Sequence, residues 1–465
     1  MEKLATKDNG FKLNYKRTFI IGFAFFGILL LWQVYDSWCT PFLTELFKSR
    51  FGITDERKVQ YLVGVMMAID NLAALILLPI FGALSDKTKT RFGKRMPYIM
   101  IGTLVCCAAF PLIPLFFYKN YLGGVIAMMA VVVLFAMMYR NPAVALMPDM
   151  TPKPLRSKAN GIINIMGYIG GAFATVLGII FDFKKKYLNV ETKNIWIIEA
   201  PFLIGSLLML VSAVVLFILV KENKIRDEMK DEMARGDAVS ETVDKVDDDK
   251  PLTKANKIML FLILGAEFFW FMADNAVSTF LNNYIIYGTS NGQATTSILT
   301  IIGGVGSVIG FAIGGFFTYK LGRKYTLIGG LGLTLTSYIV WLVLTLTAFK
   351  GTSEVPIWIY PLFFVKGFGM SLVHVNSFPM VVELCNSKKI GKFTGYYYAS
   401  SMAAQTITPI AFGSLLLIEK FDWFLLPIYA AVCTGISFLI FFFVKNVKTK
   451  KTEIVSGLEG IGTDD

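Results

Sequence analysis

The chain has 465 residues, of which 55% are hydrophobic and only 17% charged, with a mean hydropathy of +0.59. Soluble globular chains run at roughly 45–50% apolar and about 25% charged, so this composition excludes a soluble protein and indicates a polytopic membrane protein. The net charge of +12 is spread over many short polar loops, which suits loops facing anionic lipid and gives no reason to expect a nucleic-acid partner.

Apolar runs of at least ~18 residues predict membrane-spanning helices. They fall at about 18–46, 59–84, 97–118, 122–147, 159–181, 198–220, 257–286, 295–319, 326–348, 355–383, 393–417 and 423–445. The first follows a polar, basic start and lacks a small-residue cleavage site, so it reads as a signal anchor retained as the first span. Cations precede span one (Lys12, Lys16, Arg17) and follow spans two, four (Lys153, Arg156, Lys158), eight (Lys320, Arg323, Lys324), ten (Lys388, Lys389, Lys392) and twelve (Lys445, Lys448, Lys450). With an even number of spans these loops lie on one side, which predicts a multi-pass protein of the cell membrane with both termini cytoplasmic. Lys184–Lys186, on the other side, run against this pattern. The expected organisation is a cytoplasmic tail (1–17), a six-helix bundle (18–220), a charged cytoplasmic linker (221–256), a second six-helix bundle (257–445) and a cytoplasmic tail (446–465). The five cysteines show no pairing framework.

Internal repeats divide the chain in two. Trp32, Asp36, Phe42 and Leu43 recur as Trp270, Asp274, Phe280 and Leu281, a constant 238 positions later. Asp149 and Gly161 recur as Glu383 and Gly395, 234 positions later. The predicted fold is all-α, with 12 transmembrane helices in two pseudo-symmetric six-helix bundles.

Between spans two and three, Gly82 to Arg95 reads GALSDKTKTRFGKR, with cations at Lys87, Lys89, Arg91, Lys94 and Arg95. Asp86 closes the preceding helix, while Gly82 and Gly93 allow close backbone approach. A reduced form, GFFTYKLGRK, follows span eight, and RNPAVALMPDMTPKPLRSKANG runs from Arg140 to Gly161. The Gly-x-x-x-Asp and Arg-Phe-Gly-Lys-Arg pattern resembles the corresponding loop of the major facilitator superfamily. Its spelling, and that of the loop after span four, is most similar to the cation-coupled glycoside symporters and the sucrose–proton symporters. The resemblance covers spans one to five well and the second half mainly by topology. It implies alternating access of a midplane site between the two halves. Gly82, Asp86, Arg91, Gly93, Arg95, Asp149, Arg156 and Glu383 are then gate elements, and the loops at Asp86 and Asp149 lock the outward-open state.

Ionisable groups inside the bilayer cost at least ~2.5–3.5 kcal/mol, so they persist where they face a cavity or a partner. Asp36 shares a helix face with Trp32, and Asp274 with Trp270. A carboxylate accepts hydroxyl hydrogen bonds while an indole covers an apolar C–H face, which suits a sugar; helix packing or an interface belt also accounts for the tryptophans. In melibiose-type carriers a span-one aspartate contacts sugar, and the resemblance carries that role to Asp36. Arg140 and Asn164 complete the expected substrate-binding set, and Asn160 and Gln405 are further hydroxyl partners. Asp70 is the expected coupling group, with Arg140 as its nearby cation alternating with substrate; a permanent Asp70–Arg140 salt bridge is the structural alternative. Glu267, a second candidate coupling group, lies about 20° from Asp274 on the helix, so both face one cavity or Asp274 pairs with Lys366. His374, the only histidine, is either a proton shuttle or a structural donor.

Where melibiose-type sodium carriers have acids, this chain has Ala74 and Leu78, and it has Arg140 where they carry another. Loss of those carboxylates favours protons over sodium. The expected partners are therefore a sugar, a coupling proton and the lipid bilayer, with no cofactor and no bound metal. No Gly-x-x-x-x-Gly-Lys-Ser/Thr loop for ATP is present. A proton-coupled symporter of di- or oligosaccharide glycosides is the expected function; a related carrier for a lipid or drug is the alternative, and a membrane-embedded enzyme lacks a nucleophile signature or ligand cluster.

Overall fold

In the computed structural model, which describes residues 11–236, 254–349, 354–384 and 390–445, the regular structure is helical throughout the described residues. Within a bilayer this is the only open-chain solution that satisfies every backbone N–H and C=O internally. Twelve long helices follow in order: α1 (Tyr15–Phe51), α2 (Gln60–Lys87), α3 (Met96–Tyr118), α4 (Leu122–Asp149), α5 (Arg156–Ile180), α6 (Ile195–Leu219), α7 (Lys254–Gly288), α8 (Gln293–Leu321), α9 (Arg323–Leu344), α10 (Ile359–Val382), α11 (Ile390–Leu415) and α12 (Leu425–Phe443). The helix ends are chemically marked. Asn14 caps α1 by accepting from Arg17 N at 3.0 Å, and Gly52, at φ 65°, ends it by donating to Lys48 O. Helix α3 is interrupted at Pro111, which has no N–H to continue the ladder.

Ten of the twelve are long and apolar enough to cross a bilayer. The other two, α10 and α11, are long enough but carry polar side chains that line the central cavity: His374 on α10, and Tyr397, Tyr398, Ser401 and Gln405 on α11. Helices α1–α6 pack mainly with one another, with α1 lying along α5 and α6 and α3 along α4. Helices α7–α12 form the second bundle, with α10 against α8 and α9, and α7 against α11 and α12. The bundles meet through α2 with α11 and α5 with α8. The repeat supplies matching core residues. Phe42 and Phe280 are both fully buried, the first stacked on Phe117 at 4.1 Å and the second against Phe412 at 4.7 Å.

The bundles are fastened together at the end opposite the Gly82–Arg95 loop. Asn283, wholly buried, donates to Thr44 Oγ1 at 3.0 Å and Gln60 Oε1 at 2.9 Å. Asn282 donates to Ser37 O at 2.6 Å, and Arg57 to Phe421 O at 3.1 Å. Asp182 accepts from Ala294 N at 2.9 Å. It thereby caps α8 from the other bundle, where Gly292 has no side chain to do so. A Cβ on Gly292 would run into that carboxylate.

The Gly82–Arg95 loop is held within the first bundle. Arg95, 5% exposed, binds Asp86 at 2.5 Å, Asp149 at 2.9 Å and Ser85 Oγ at 2.5 Å. Lys94 adds a 3.0 Å contact to Asp149. Gly93 takes φ 115°, which favours glycine. Glu222, on the short helix Glu222–Glu228, accepts from the backbone N–H groups of Lys94, Arg95 and Met96 at 2.8–3.2 Å and so caps α3. Asn223 donates to Thr90 O and Arg91 O. The Arg91 guanidinium lies over the Phe92 ring, and Gly82 packs against Asn141. Arg156 donates to Thr151 O and Pro148 O, which shapes the turn after α4. In the second bundle Arg323 binds Glu383 at 2.8 Å. Lys388, Lys389, Cys385, Lys448 and Lys450, and residues 237–253 of the expected linker, lie outside the described residues.

Candidate functional site

Between the bundles lies a cavity of about 740 Å³. From the first bundle it is lined by Trp32, Asp36 and Thr40 on α1, by Asp70 and Asn71 on α2, and by Arg140 and Asn141 on α4. The second contributes Phe271, Asn275, Ser278 and Thr279 on α7, His374 on α10 and the α11 side chains named above. Asn71 Nδ2 donates to Gln405 O at 3.0 Å, joining the two walls. The fastened contacts close the cavity at one end. Its lining continues along Leu78, Pro79, Asn141 and Val144 towards the end of the Gly82–Arg95 loop.

Three formally charged side chains of the first bundle face this space. Asp36 is exposed to it, four residues after Trp32 on one helix face. Asp70 accepts a 2.7 Å hydrogen bond from the Tyr35 hydroxyl, and Tyr35 is itself fully buried. Arg140 makes no ion pair within 4.0 Å among the described residues, so no Asp70–Arg140 salt bridge is formed. The neighbouring Asn141 is spent on the backbone, donating to Leu78 O at 2.6 Å.

Other sequence-predicted residues stand elsewhere. Asp274 is bound by the Lys366 ammonium at 2.5 Å and does not line the cavity. Trp270 is fully buried, stacked on Phe271 at 3.8 Å and 4.6 Å from the His374 ring. The two Trp/Asp repeats thus occupy different surroundings, because α10 offers Asp274 a lysine while Asp36 has none within 4.0 Å among the described residues. Glu267 is fully buried one turn before Phe271, with no hydrogen-bond partner for either carboxyl oxygen among the described residues. Asn164 is buried in α5 away from the cavity wall. The residues expected to form the gate lie at the loop end, where the ion pairs of Asp86, Arg95 and Asp149 stay within one bundle.

Sequence reasoning passed over Tyr35, Asn275, Ser278, Thr279, Tyr397, Tyr398 and Ser401. Part of this was readable: Phe271, Asn275, Ser278 and Thr279 follow helical spacing. They make a half-polar stripe in an apolar span. Tyr35 carries no such signal, since its role depends on how α2 packs on α1.

A family model described as Major Facilitator Superfamily matches residues 3–175, 40–348 and 263–460. Among curated proteins, an uncharacterized MFS-type transporter YbcL of Bacillus subtilis (strain 168) is 29% identical over 111 residues, 22% of this chain and 28% of that protein. The lactose permease of Lactobacillus helveticus is 31% identical over 88 residues, 18% of this chain and 12% of that protein. Both alignments therefore take in well under half of the relatives' own lengths. Among solved structures, a peptide transporter POT in complex with alafosfalin aligns with TM-score 0.67 at 15% identity, covering 93% of this chain and 95% of the other. The POT family transporter PepTSo aligns with TM-score 0.66 at 13% identity, covering 93% and 97%. These structures share the fold. With two six-helix bundles enclosing a cavity and the family model matched across the chain, the protein belongs to the major facilitator superfamily of secondary membrane transporters.

Proposed function

We propose that the protein is a proton-coupled symporter of a glycoside, working by alternating access. One observation carries this reading: a cavity between the bundles brings two carboxylates, an indole, an arginine and a ring of hydroxyl and amide side chains to one space. Asp36 with Trp32 is the sugar-facing pair, the acid accepting hydroxyls and the ring covering a C–H face. Asp70, set apart by its hydrogen bond from Tyr35, carries the coupling proton. Ala74 and Leu78, beside it on the cavity wall, offer no side-chain oxygen to a sodium ion. The partial likeness to a lactose permease supports a sugar. In this reading the loop end with its cations is cytoplasmic and the conformation is open to the cytoplasm. Asn282, Asn283, Asp182 and Arg57 then form the outer closure, and Arg95 with Asp86 and Asp149 keeps the inner gate loop folded until the bundles close over it. The domain limits proposed are those given by the sequence, with the linker at 221–256.

The test is substrate-induced alkalinisation in energised proteoliposomes, screening sucrose, maltose, melibiose and related glycosides, with Asp70→Asn alongside. Alkalinisation with a glycoside, lost in Asp70→Asn while exchange of that sugar persists, is the expected result. A folded protein in which no glycoside moves protons overturns the reading.

A further inference from the structure

A proline inside a helix has no N–H, so the carbonyl four residues earlier loses its intrahelical donor. In α1, Pro41 frees the carbonyl of Ser37, and in α11, Pro409 frees that of Gln405. Both freed oxygens have side-chain donors, and those donors come from the opposite bundle. Ser37 O, on the first bundle, accepts from Asn282 Nδ2 at 2.6 Å and from Gln293 Nε2 at 3.2 Å. Gln405 O, on the second, accepts from Asn71 Nδ2 at 3.0 Å. The two arrangements thus run in reciprocal directions across one interface. Each includes a neighbour in sequence of a cavity acid: Ser37 follows Asp36, and Asn71 follows Asp70. The backbones approach closely beside Pro409. A Cβ on Gly64 of α2 would run into Pro409 O, and one on Gly413 of α11 into Gln60 O.

A carbonyl buried in a membrane without a partner is unfavourable, and a helix proline is tolerated where a neighbouring helix supplies the missing donor. An ordinary helical carbonyl keeps its partner whichever way the bundles rock. Ser37 O and Gln405 O do not, because separation at this end withdraws Asn282, Gln293 and Asn71 with the bundles that carry them. The same amides would gain far less from a carbonyl already bonded within its own helix. The absent N–H groups of Pro41 and Pro409 therefore favour the closed arrangement of this end over the open one.

We propose that Pro41 and Pro409 build two reciprocal latches, Ser37 O with Asn282 and Gln293 and Gln405 O with Asn71, which hold the bundles shut at the end opposite the Gly82–Arg95 loop. Their release is a step in opening that end. This rests on the reading of the protein as an alternating-access transporter, and on neither the glycoside nor the proton.

The test uses the full chain in proteoliposomes of one orientation, without native cysteines, with Ser278→Cys on the cavity wall as reporter. A membrane-impermeant maleimide is applied from the end opposite the Gly82–Arg95 loop. Pro41→Ala and Pro409→Ala keep every cross-bundle side chain and return an N–H to each carbonyl. Each is expected to raise the labelling rate at least about threefold. Pro201→Ala, in α6 and packed on α1 and α3 within the first bundle, is expected to leave it within about twofold. Asn71→Ala should raise labelling about threefold or more in the otherwise unchanged chain, and less than about twofold once Pro409→Ala is present, since the carbonyl then has its own donor. Unchanged labelling in either proline variant overturns the latch that proline builds. An equal rise in Pro201→Ala, or an Asn71→Ala effect undiminished by Pro409→Ala, overturns the inference. No solute enters the assay, so these results leave the glycoside–proton reading to its own experiment. If the proline variants do not fold, Asn282→Ala and Gln293→Ala decide. Ser37 O has both donors, so each single change should stay below about twofold and the pair should exceed the product of the two. A simple product overturns the inference.

Discussion

Tyr35 and Asp70 meet at 2.7 Å, a wholly buried phenol on α1 donating to a cavity-facing carboxylate on α2. Asp36, the next residue after Tyr35, faces the same cavity with no such donor among the described residues. The hydrogen bond therefore distinguishes two acids of one chemical type. Removing it in Tyr35→Phe is expected to cost about 1 kcal/mol of stability, a drop of about one degree in the melting temperature for a chain of this size. It should lower proton-driven accumulation severalfold while leaving solute exchange within about twofold. Equal losses in accumulation and exchange would place Tyr35 in packing alone.

The cap that Asp182 gives to α8 across the bundle interface predicts a shift of conformation. Asp182→Ala loses about 0.5–2 kcal/mol from the closed end. Gly292→Ala drives a methyl group into the Asp182 carboxylate and acts in the same direction. In a background without the native cysteines, a cysteine placed at Ser278 reports access to the cavity. Labelling from the end opposite the Gly82–Arg95 loop should rise severalfold in both variants, and unchanged labelling in both would rule out the cap as part of the closure.

The ion pairs of Arg95 and Arg323, at the two loops proposed as gates, differ in burial, and this predicts unequal costs. The Arg95 side chain is 6% exposed and binds two carboxylates, whereas the Arg323 side chain is 15% exposed and binds one whose side chain is 28% exposed. Arg95→Ala strands Asp149 beside Lys94 alone and should cost about 3–5 kcal/mol. Arg323→Ala, in a more solvated place, should cost no more than about 1 kcal/mol. Arg95→Lys recovers little, since a single ammonium does not reproduce the fork that reaches Asp86, Asp149 and Ser85. Thermal unfolding in detergent orders the three variants, and an Arg323→Ala loss as large as that of Arg95→Ala would contradict the argument.

Asp274 and Lys366 are partners within one bundle. Asp274→Asn leaves the ammonium alone, and Lys366→Met leaves the carboxylate alone, so each single change should destabilise by several kcal/mol. The double variant removes both charges and should recover at least half of the larger loss. Additive losses in the cycle would mean that the two side chains do not depend on each other.

The sequence by itself determined the all-helical fold and the order of its twelve helices, because these follow from run length and charge at loop ends along the chain. It also located Asp36, Asp70, Arg140, Glu267, Asp274, Lys366 and His374 within spans and placed Trp32 and Asp36 on one face, since helical periodicity orders residues within a helix, but it passed over Glu199 on α6. It did not determine which of those faces turns to the cavity. Asp36 and Asp274 match in the repeat, yet one faces the cavity and the other is bound by a lysine 92 positions further along the chain. Glu267 lies seven residues before Asp274 and is sealed in the bundle. The Tyr35–Asp70 bond spans 35 positions and the Asp182–Ala294 cap spans 112. Such pairings depend on how each helix is rotated against its neighbours, and that rotation is fixed by interlocking side chains from distant parts of the chain, which only the tertiary structure brings together.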